Sequence, residues 1–138
     1  MLPVRKKQPV ATAPRSLDVV VADDVKEITE LVAAWLEEVG HSVTHAANGR
    51  EVIQLLKDKP FDLLITDIVM PEGDGWDAVL AVNRLRPATR ILAISGGGRH
   101  MPADACLRVA KGVGADGILK KPFRRAELMQ AIEKAIAR

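Results

Sequence analysis

The stretch Phe61-Asp62-Leu63-Leu64-Ile65-Thr66-Asp67-Ile68-Val69-Met70-Pro71 decides how the chain folds. It starts as a short apolar run with a β-branched member and ends in a carboxylate. Pro60 precedes it and the cluster Gly73, Asp74, Gly75 follows it. A run of this length, bounded by such residues, predicts a buried β-strand with Asp67 at its C-terminal end. In an open parallel sheet that end faces the ligand crevice. The question for the rest of the sequence is which groups it brings to Asp67.

Upstream, Leu17 to Ala22 predicts a first strand, followed by the acidic pair Asp23-Asp24. Val25, Ile28, Val32, Trp35, Leu36 and Val39 recur at steps of three and four, predicting a helix over 25–39 that Gly40 stops. Ser42 to Ala46 alternates and carries β-branched residues, as a half-exposed strand does. Asn48 is placed to cap a second helix with Val52, Ile53, Leu55 and Leu56 inward, and Pro60 lies past its end. Downstream, a third helix runs from about Trp76 to Leu85 with Val79, Leu80 and Val82 inward, and Pro87 ends it. Thr89 to Ser95 is a fourth strand that runs into Gly96-Gly97-Gly98, a loop. A fourth helix starts near Pro102, and Gly117 to Lys120 is a short fifth strand. Lys121-Pro122-Phe123 leads to a last helix with Leu128, Met129, Ile132 and Ile136 as its stripe.

Strands alternating with helices in this way predict an α/β fold, a five-stranded parallel sheet wound on both faces. The common strand order for such a chain is 2-1-3-4-5, with the switch point between strands one and three. That order puts Asp23, Asp24, Asp67, Ser95 and Lys121, from four distant stretches, on one rim.

Composition narrows the function. The chain has 138 residues, 48% of them hydrophobic and 3% aromatic, which suits one domain with an aliphatic core. The formal charge is +2, but Arg5, Lys6, Lys7 and Arg15 supply four of the 20 bases, so the body is slightly acidic against 18 Asp and Glu. The charge is therefore no sign of a nucleic-acid-binding domain. Residues 1–16 are expected to be a flexible basic tail, a solvated extension in preference to a docking arm, and 17–138 the folded domain. The single Cys106 excludes an internal disulfide and suits a reducing compartment. No apolar run is long enough for a membrane span and no secretory segment follows the first basic residues. A cytoplasmic protein with no membrane or nucleic-acid partner is expected.

Three clustered carboxylates repel one another, so a cation is expected among them. Oxygen ligands favour a hard ion, Mg²⁺ or Mn²⁺. A carboxylate beside Mg²⁺ can attack a phosphoryl group and form an aspartyl phosphate. The spread negative charge of the transferred group calls for the metal, a fixed cation and hydrogen-bond donors. Lys121, Ser95 and N–H groups near Gly96 can supply the last two.

The set Val-Val-Val-Ala-Asp-Asp, Leu-Leu-Ile-Thr-Asp-Ile-Val-Met-Pro-Glu-Gly-Asp-Gly, Ile-Leu-Ala-Ile-Ser-Gly and Leu-Lys-Lys-Pro-Phe, in this order, resembles the CheY-like receiver domain of bacterial two-component response regulators. The resemblance covers residues 17–138. It implies phosphoryl transfer from a histidine kinase or phosphotransfer protein to Asp67. It implies Mg²⁺ held by Asp24, Asp67 and the Val69 carbonyl, with Asp23 acting through water. It implies Ser95 and Lys121 as phosphoryl contacts and a cis bond between Lys121 and Pro122. No output domain is expected within these residues, so the chain would be a stand-alone receiver and not an enzyme. It would signal by binding a downstream protein, with a possible homodimer through helix four, strand five and helix five. A phosphorylation-independent interaction module is the alternative, and retention of Asp24, Asp67, Ser95 and Lys121 argues against it. A flavin carrier would want a glycine-rich phosphate loop where Asp23-Asp24 stand. An aspartate-nucleophile phosphatase would place two aspartates two apart on strand one.

The sequence also departs from the family's pattern. Ile118 stands where receivers often carry a switching aromatic. Val69 and Gly97, two residues beyond Asp67 and Ser95, cannot orient an attacking water by hydrogen bonding, so a slowly hydrolysing aspartyl phosphate is expected. His41, His45 and His100 share no ligand spacing. Cys106 and Trp35 are expected to pack in the interior and Trp76 in the core or at the rim. Arg99, Arg108 and Lys111 are a basic output face or simply a solvated one.

Overall fold

The computed structural model describes residues 16–70, 75–96 and 102–137. Five strands alternate with five helices: β1 (Asp18–Ala22), α1 (Lys26–Glu38), β2 (Ser42–Ala46), α2 (Gly49–Asp58), β3 (Leu63–Asp67), α3 (Gly75–Leu85), β4 (Arg90–Ser95), α4 (Ala103–Gly112), β5 (Gly117–Lys120) and α5 (Arg125–Ile136). The strands form one parallel sheet in the order β2-β1-β3-β4-β5. The fold is the expected α/β one, with β1 and β3 adjacent at the switch point.

The three inner strands are buried on both faces, which is why β1, β3 and β4 read as apolar runs with little alternation. Val20, Ala22, Leu64, Ile91 and Ala93 meet Val52, Leu56, Val79, Val82 and Leu107 from α2, α3 and α4 on one face. Val19, Val21, Leu63, Ile65, Leu92 and Ile94 meet Val32 and Leu36 of α1 and Leu128 and Ile132 of α5 on the other. Edge strands β2 and β5 are partly exposed. At the N-terminal rim the strands are tied by side chains: Asp62 Oδ2 accepts from the Asp18 N–H at 2.8 Å and Thr89 Oγ1 donates to the Phe61 carbonyl at 2.7 Å. Asp116 Oδ2 accepts from the Ile91 N–H at 2.9 Å.

Several sequence expectations shift. Leu80 is 51% exposed, so the inner stripe of α3 is Ala78, Val79, Ala81 and Val82. Leu80 follows Val79 by one residue, a turn of about 100° around the helix, and that carries it out of the core. Val25 and Val39 also lie outside α1 and are half exposed. Leu17 precedes β1: its N–H donates to His41 Nδ1 at 3.1 Å instead of joining the ladder. Thr89 likewise precedes β4. Asn48 caps α2, its side chain accepting from the Glu51 N–H at 2.9 Å. Cys106 is buried among core residues, and Trp35 is half buried against Phe123, with ring centroids 6.5 Å apart. Trp76 is half buried against the core of its face. Gly97, Gly98, Arg99, His100, Pro71, Gly73, Asp74 and residues 1–15 of the basic tail lie outside the described residues.

Candidate functional site: an acidic pocket with a lysine

The site grows from the C-terminal ends of β1, β3 and β4 and from the turn after β5. At the end of β1 the chain stays paired for one more residue, the Asp23 N–H donating to the Ala46 carbonyl at 3.1 Å. Asp23 is 2% exposed, and its Oδ1 accepts from the Val25 N–H at 2.9 Å, closing the turn into α1. Asp24 projects to solvent beside it. The two adjacent acids therefore differ: Asp23 is the structural one of the pair and Asp24 the accessible one.

Asp67 closes β3. Its register partner is Ile94, and Ile68 remains tied to β4 by its N–H to the Ile94 carbonyl at 3.1 Å. Asp67 is 5% exposed, and its Oδ1 accepts a long hydrogen bond, 3.3 Å, from the Val69 N–H. Val69 itself is half exposed, two residues beyond the carboxylate. Ser95, the residue after Ile94, is fully buried, and its carbonyl accepts from the Lys121 N–H at 2.9 Å. That bond carries the β4–β5 pairing past Lys120 and delivers Lys121 to the rim. The Lys121–Pro122 peptide bond is cis.

Lys121 Nζ lies 2.7 Å from Asp23 Oδ2 and 3.1 Å from Asp67 Oδ2. Ligand oxygens of Asp23, Asp24 and Asp67 lie within 4.8 Å of one another. The structure thus brings together all five predicted side-chain positions on one rim, with direct contacts among Asp23, Asp67 and Lys121. Burial raises the pKa of Asp67; the Lys121 ammonium pulls it back and the Asp23 charge pushes it up again, leaving it above its ordinary value. For Lys121, burial works against the charged form, but the Asp23 and Asp67 carboxylates outweigh it, and the pKa sits above its ordinary value. Three carboxylates face one ammonium, so the pocket keeps an excess of negative charge. A donor set of carboxylate oxygens, with no sulfur or imidazole in the cluster, fits a small hard divalent cation such as Mg²⁺.

Two features escaped the sequence. The contact of Lys121 with Asp23 was not foreseen, because nothing in the spacing says which acid of the pair turns inward. In the sequence Gly75 stands only as part of a turn cluster. A Cβ there would lie 2.1 Å from the Asp67 carbonyl oxygen and 2.6 Å from Ile68 Cα, while the Gly75 N–H donates to the Ile68 carbonyl at 3.0 Å. The start of α3 presses directly on the backbone of Asp67, and only glycine fits. The available signal was a glycine at a helix start just after a strand-end carboxylate.

This fold, with a lysine inserted among strand-end aspartates, defines a class, and comparison with known proteins agrees. Residues 19–133 match the family described as the response regulator receiver domain, and the chain belongs to that family. It is 33% identical over 120 residues to the response regulator receiver protein CpdR of Brucella abortus, a match over 86% of this chain and 95% of that protein. The chain spans half or less of the other leading curated relatives. Among solved structures it is similar to Vibrio cholerae CheY4, with a TM-score of 0.76 and 29% identity over 88% of this chain and 99% of that one. It is similar also to a Burkholderia pseudomallei response regulator with a phosphorylated aspartic acid and a calcium ion, with a TM-score of 0.72 and 26% identity, covering 83% of this chain and 65% of that one.

Proposed function

We propose that residues 17–138 form a receiver that accepts a phosphoryl group on Asp67 from the phosphohistidine of a histidine kinase or phosphotransfer protein. A carboxylate oxygen of Asp67 attacks phosphorus, the P–N bond breaks and its electron pair leaves with the imidazole. Asp24, Asp67 and the Val69 carbonyl would hold Mg²⁺, with Asp23 acting through a water. When bound, the ion supplies neutralisation of charge on the transferred oxygens. Lys121 supplies the second positive charge and Ser95 a hydroxyl donor. The observation that carries this reading is the Lys121 ammonium 3.1 Å from Asp67 Oδ2, inside a cluster of three carboxylates with no other cation among the described residues that ion-pairs with it. The resident ion pairs hold the lysine where developing negative charge would need it.

Output is by protein–protein contact. The face of α4, β5 and α5 is the candidate surface for a target or a second copy, with Val109 and Ile118 exposed on it. Ile118 cannot act as an aromatic switch, so a change there would propagate through packing of aliphatic side chains. The aspartyl phosphate is expected to be long-lived, because the apolar side chain of Val69 offers an attacking water no hydrogen bond. Val69→Asn should shorten the lifetime; an unchanged or longer one contradicts that part. A cytoplasmic location fits this function, and no helix among the described residues is long and apolar enough to cross a membrane.

The test is labelling with a small phosphodonor and Mg²⁺, followed by intact mass and peptide mapping. The expected product is one phosphoryl group at Asp67, labile to hydroxylamine and absent in Asp67→Asn. Labelling that survives in Asp67→Asn refutes the site. Binding of an unchanged set of proteins by wild type and Asp67→Asn would support the phosphorylation-independent module.

A further inference from the structure

Where β5 forms the edge of the sheet, a groove of about 550 Å³ opens between α4 and α5. Lys111 stands on one side of it, in the last turn of α4. Ala131 and Lys134 of α5 stand on the other, and β5 lines it at Gly117 and Ile118. A space of that size holds a short length of chain. A Cβ at Gly117 would lie 3.4 Å from the Ala135 Cβ, so Gly117 faces α5 and its neighbour Ile118 faces α4. Ile118 is 39% exposed there.

Backbone and charge together select what fits this groove. β5 pairs only with β4, and the Asp116 N–H donates to the Ile91 carbonyl at 2.8 Å. In a parallel ladder alternate residues face the neighbouring strand, so Gly117 and Leu119 turn their N–H and carbonyl groups to the open edge. The acid nearest the groove is engaged elsewhere: Asp116 Oδ2 accepts from the Ile91 N–H at 2.9 Å and Oδ1 lies 3.5 Å from the Arg90 guanidinium. Lys111 and Lys134 are exposed and form no ion pair among the described residues. The groove thus offers a strand edge, an apolar side chain and two ammonium groups. Residues 1–15 carry bases and no acid, and two copies meeting edge to edge through β5 would set these lysines against each other. Charge favours neither as the occupant.

We propose that the groove takes an acidic, extended segment of a partner protein, which adds to the sheet as a sixth strand beside β5. Its main chain pairs with Gly117 and Leu119, and the pairing supplies affinity. Successive side chains of an added strand point to opposite faces. One acid therefore meets Lys111 on the α4 side, and a second, an odd number of residues away, meets Lys134 on the α5 side. An apolar residue next to the first on the α4 side covers Ile118. The inference rests on reading the face of α4, β5 and α5 as the output surface, and it adds the chemistry of what binds there.

The probe is the capped peptide Val-Thr-Asp-Glu-Val-Thr-Val, titrated into the isotope-labelled full chain with and without beryllofluoride and Mg²⁺. Amide signals of Lys111, Gly117, Ile118, Leu119 and Lys134 should shift together, and hydrogen exchange at Gly117 and Leu119 should slow as their N–H groups pair. The loaded chain should bind more tightly. Lys111→Gln/Lys134→Gln should weaken binding by about fivefold, the worth of two exposed charge contacts, with the dispersion of the spectrum and so the fold retained. A peptide with Asn-Gln in place of Asp-Glu should lose a similar factor, and one with its acids two residues apart, both on one face, should lose part of it. No shift at about 1 mM peptide, shifts away from the groove, or affinity unchanged in the double variant overturns the proposal. Shifts without slowed exchange overturn the strand pairing. Sedimentation showing that the chain dimerises through this edge and that the peptide dissociates it makes a second copy the occupant, and overturns the proposal too. Equal affinity with and without beryllofluoride upholds the groove and counts instead against control of output by Asp67.

Discussion

Gly75→Ala is the substitution whose effect follows most directly from the geometry. The added methyl would lie 2.1 Å from the Asp67 carbonyl oxygen, 2.6 Å from Ile68 Cα and 2.9 Å from the Asp67 carbonyl carbon. All three are backbone atoms of the β3 end, so no side-chain rotation relieves the contact. Reaching an ordinary separation of about 3.5 Å requires the start of α3 and the Asp67 backbone to part by about 1.4 Å. Overpacking of this kind costs about 1–3 kcal/mol. The helix propensity of alanine returns less than about 1 kcal/mol at a first helical residue. A net loss of about 1–2 kcal/mol lowers the melting temperature by roughly 3–8 °C. The Asp67 carboxylate moves with its backbone, so beryllofluoride uptake should weaken by more than the stability loss alone explains. Gly112→Ala is the control: a Cβ there meets nothing within 4 Å, so the change should be neutral or slightly stabilising. Urea unfolding and fluoride NMR of both variants check the argument. Gly75→Ala with wild-type stability and wild-type uptake would refute it.

Lys121→Met removes the cation that holds Asp23 Oδ2, whose side chain is 0% exposed, and Asp67 Oδ2. Without metal it should destabilise the protein by about 3 kcal/mol in urea unfolding, as breaking a buried pair does; with the competing charge gone, calorimetry should show Mg²⁺ binding tighter by tenfold or more. Burial lowers the pKa of His41 from 6.5, with Asp62 opposing, and its Nδ1 accepts the Leu17 N–H. The folded state thus holds fewer protons on this group than the unfolded one, so its contribution is complete above about pH 6.5 and declines as pH falls through the folded pKa below it. His41→Asn keeps an acceptor but not the titration, so its denaturation midpoint should lose that component of the acid slope. Asn48→Ala removes the α2 cap and should cost about 1 kcal/mol in urea unfolding.

The fold was legible because its signals are local. The β3 run, the helical stripes of α1 and α5 and the punctuating Pro60, Pro87 and Gly40 each report on a few neighbouring residues. Alternation and handedness pointed to a parallel sheet wound on both faces, and its order is the common one for such a chain. The rim was legible for the same reason: in a parallel sheet, residues at strand ends share an edge whatever their separation in sequence. What was not legible depends on three-dimensional packing. Asp23 and Asp24 are equivalent as letters, and only the turn into α1 sends the first to Lys121 and the second to solvent. Leu80 is apolar and adjacent to Val79, yet the angular position of α3 on the sheet leaves it outside. Gly75 carries no side chain to signal a role; its necessity lies in how closely α3 approaches the carbonyl of Asp67.

The central claim is that Asp67 is a phosphoryl acceptor that works within a cation-requiring acidic pocket. Fluoride NMR of beryllofluoride bound to the full chain tests it with no partner protein. The account predicts a bound signal that appears only when Mg²⁺ is added and is lost in Asp67→Asn. It also predicts that Asp24→Asn raises the Mg²⁺ needed, because that substitution removes the exposed acid of the cluster. A bound signal that persists without divalent metal, or in Asp67→Asn, would contradict the account.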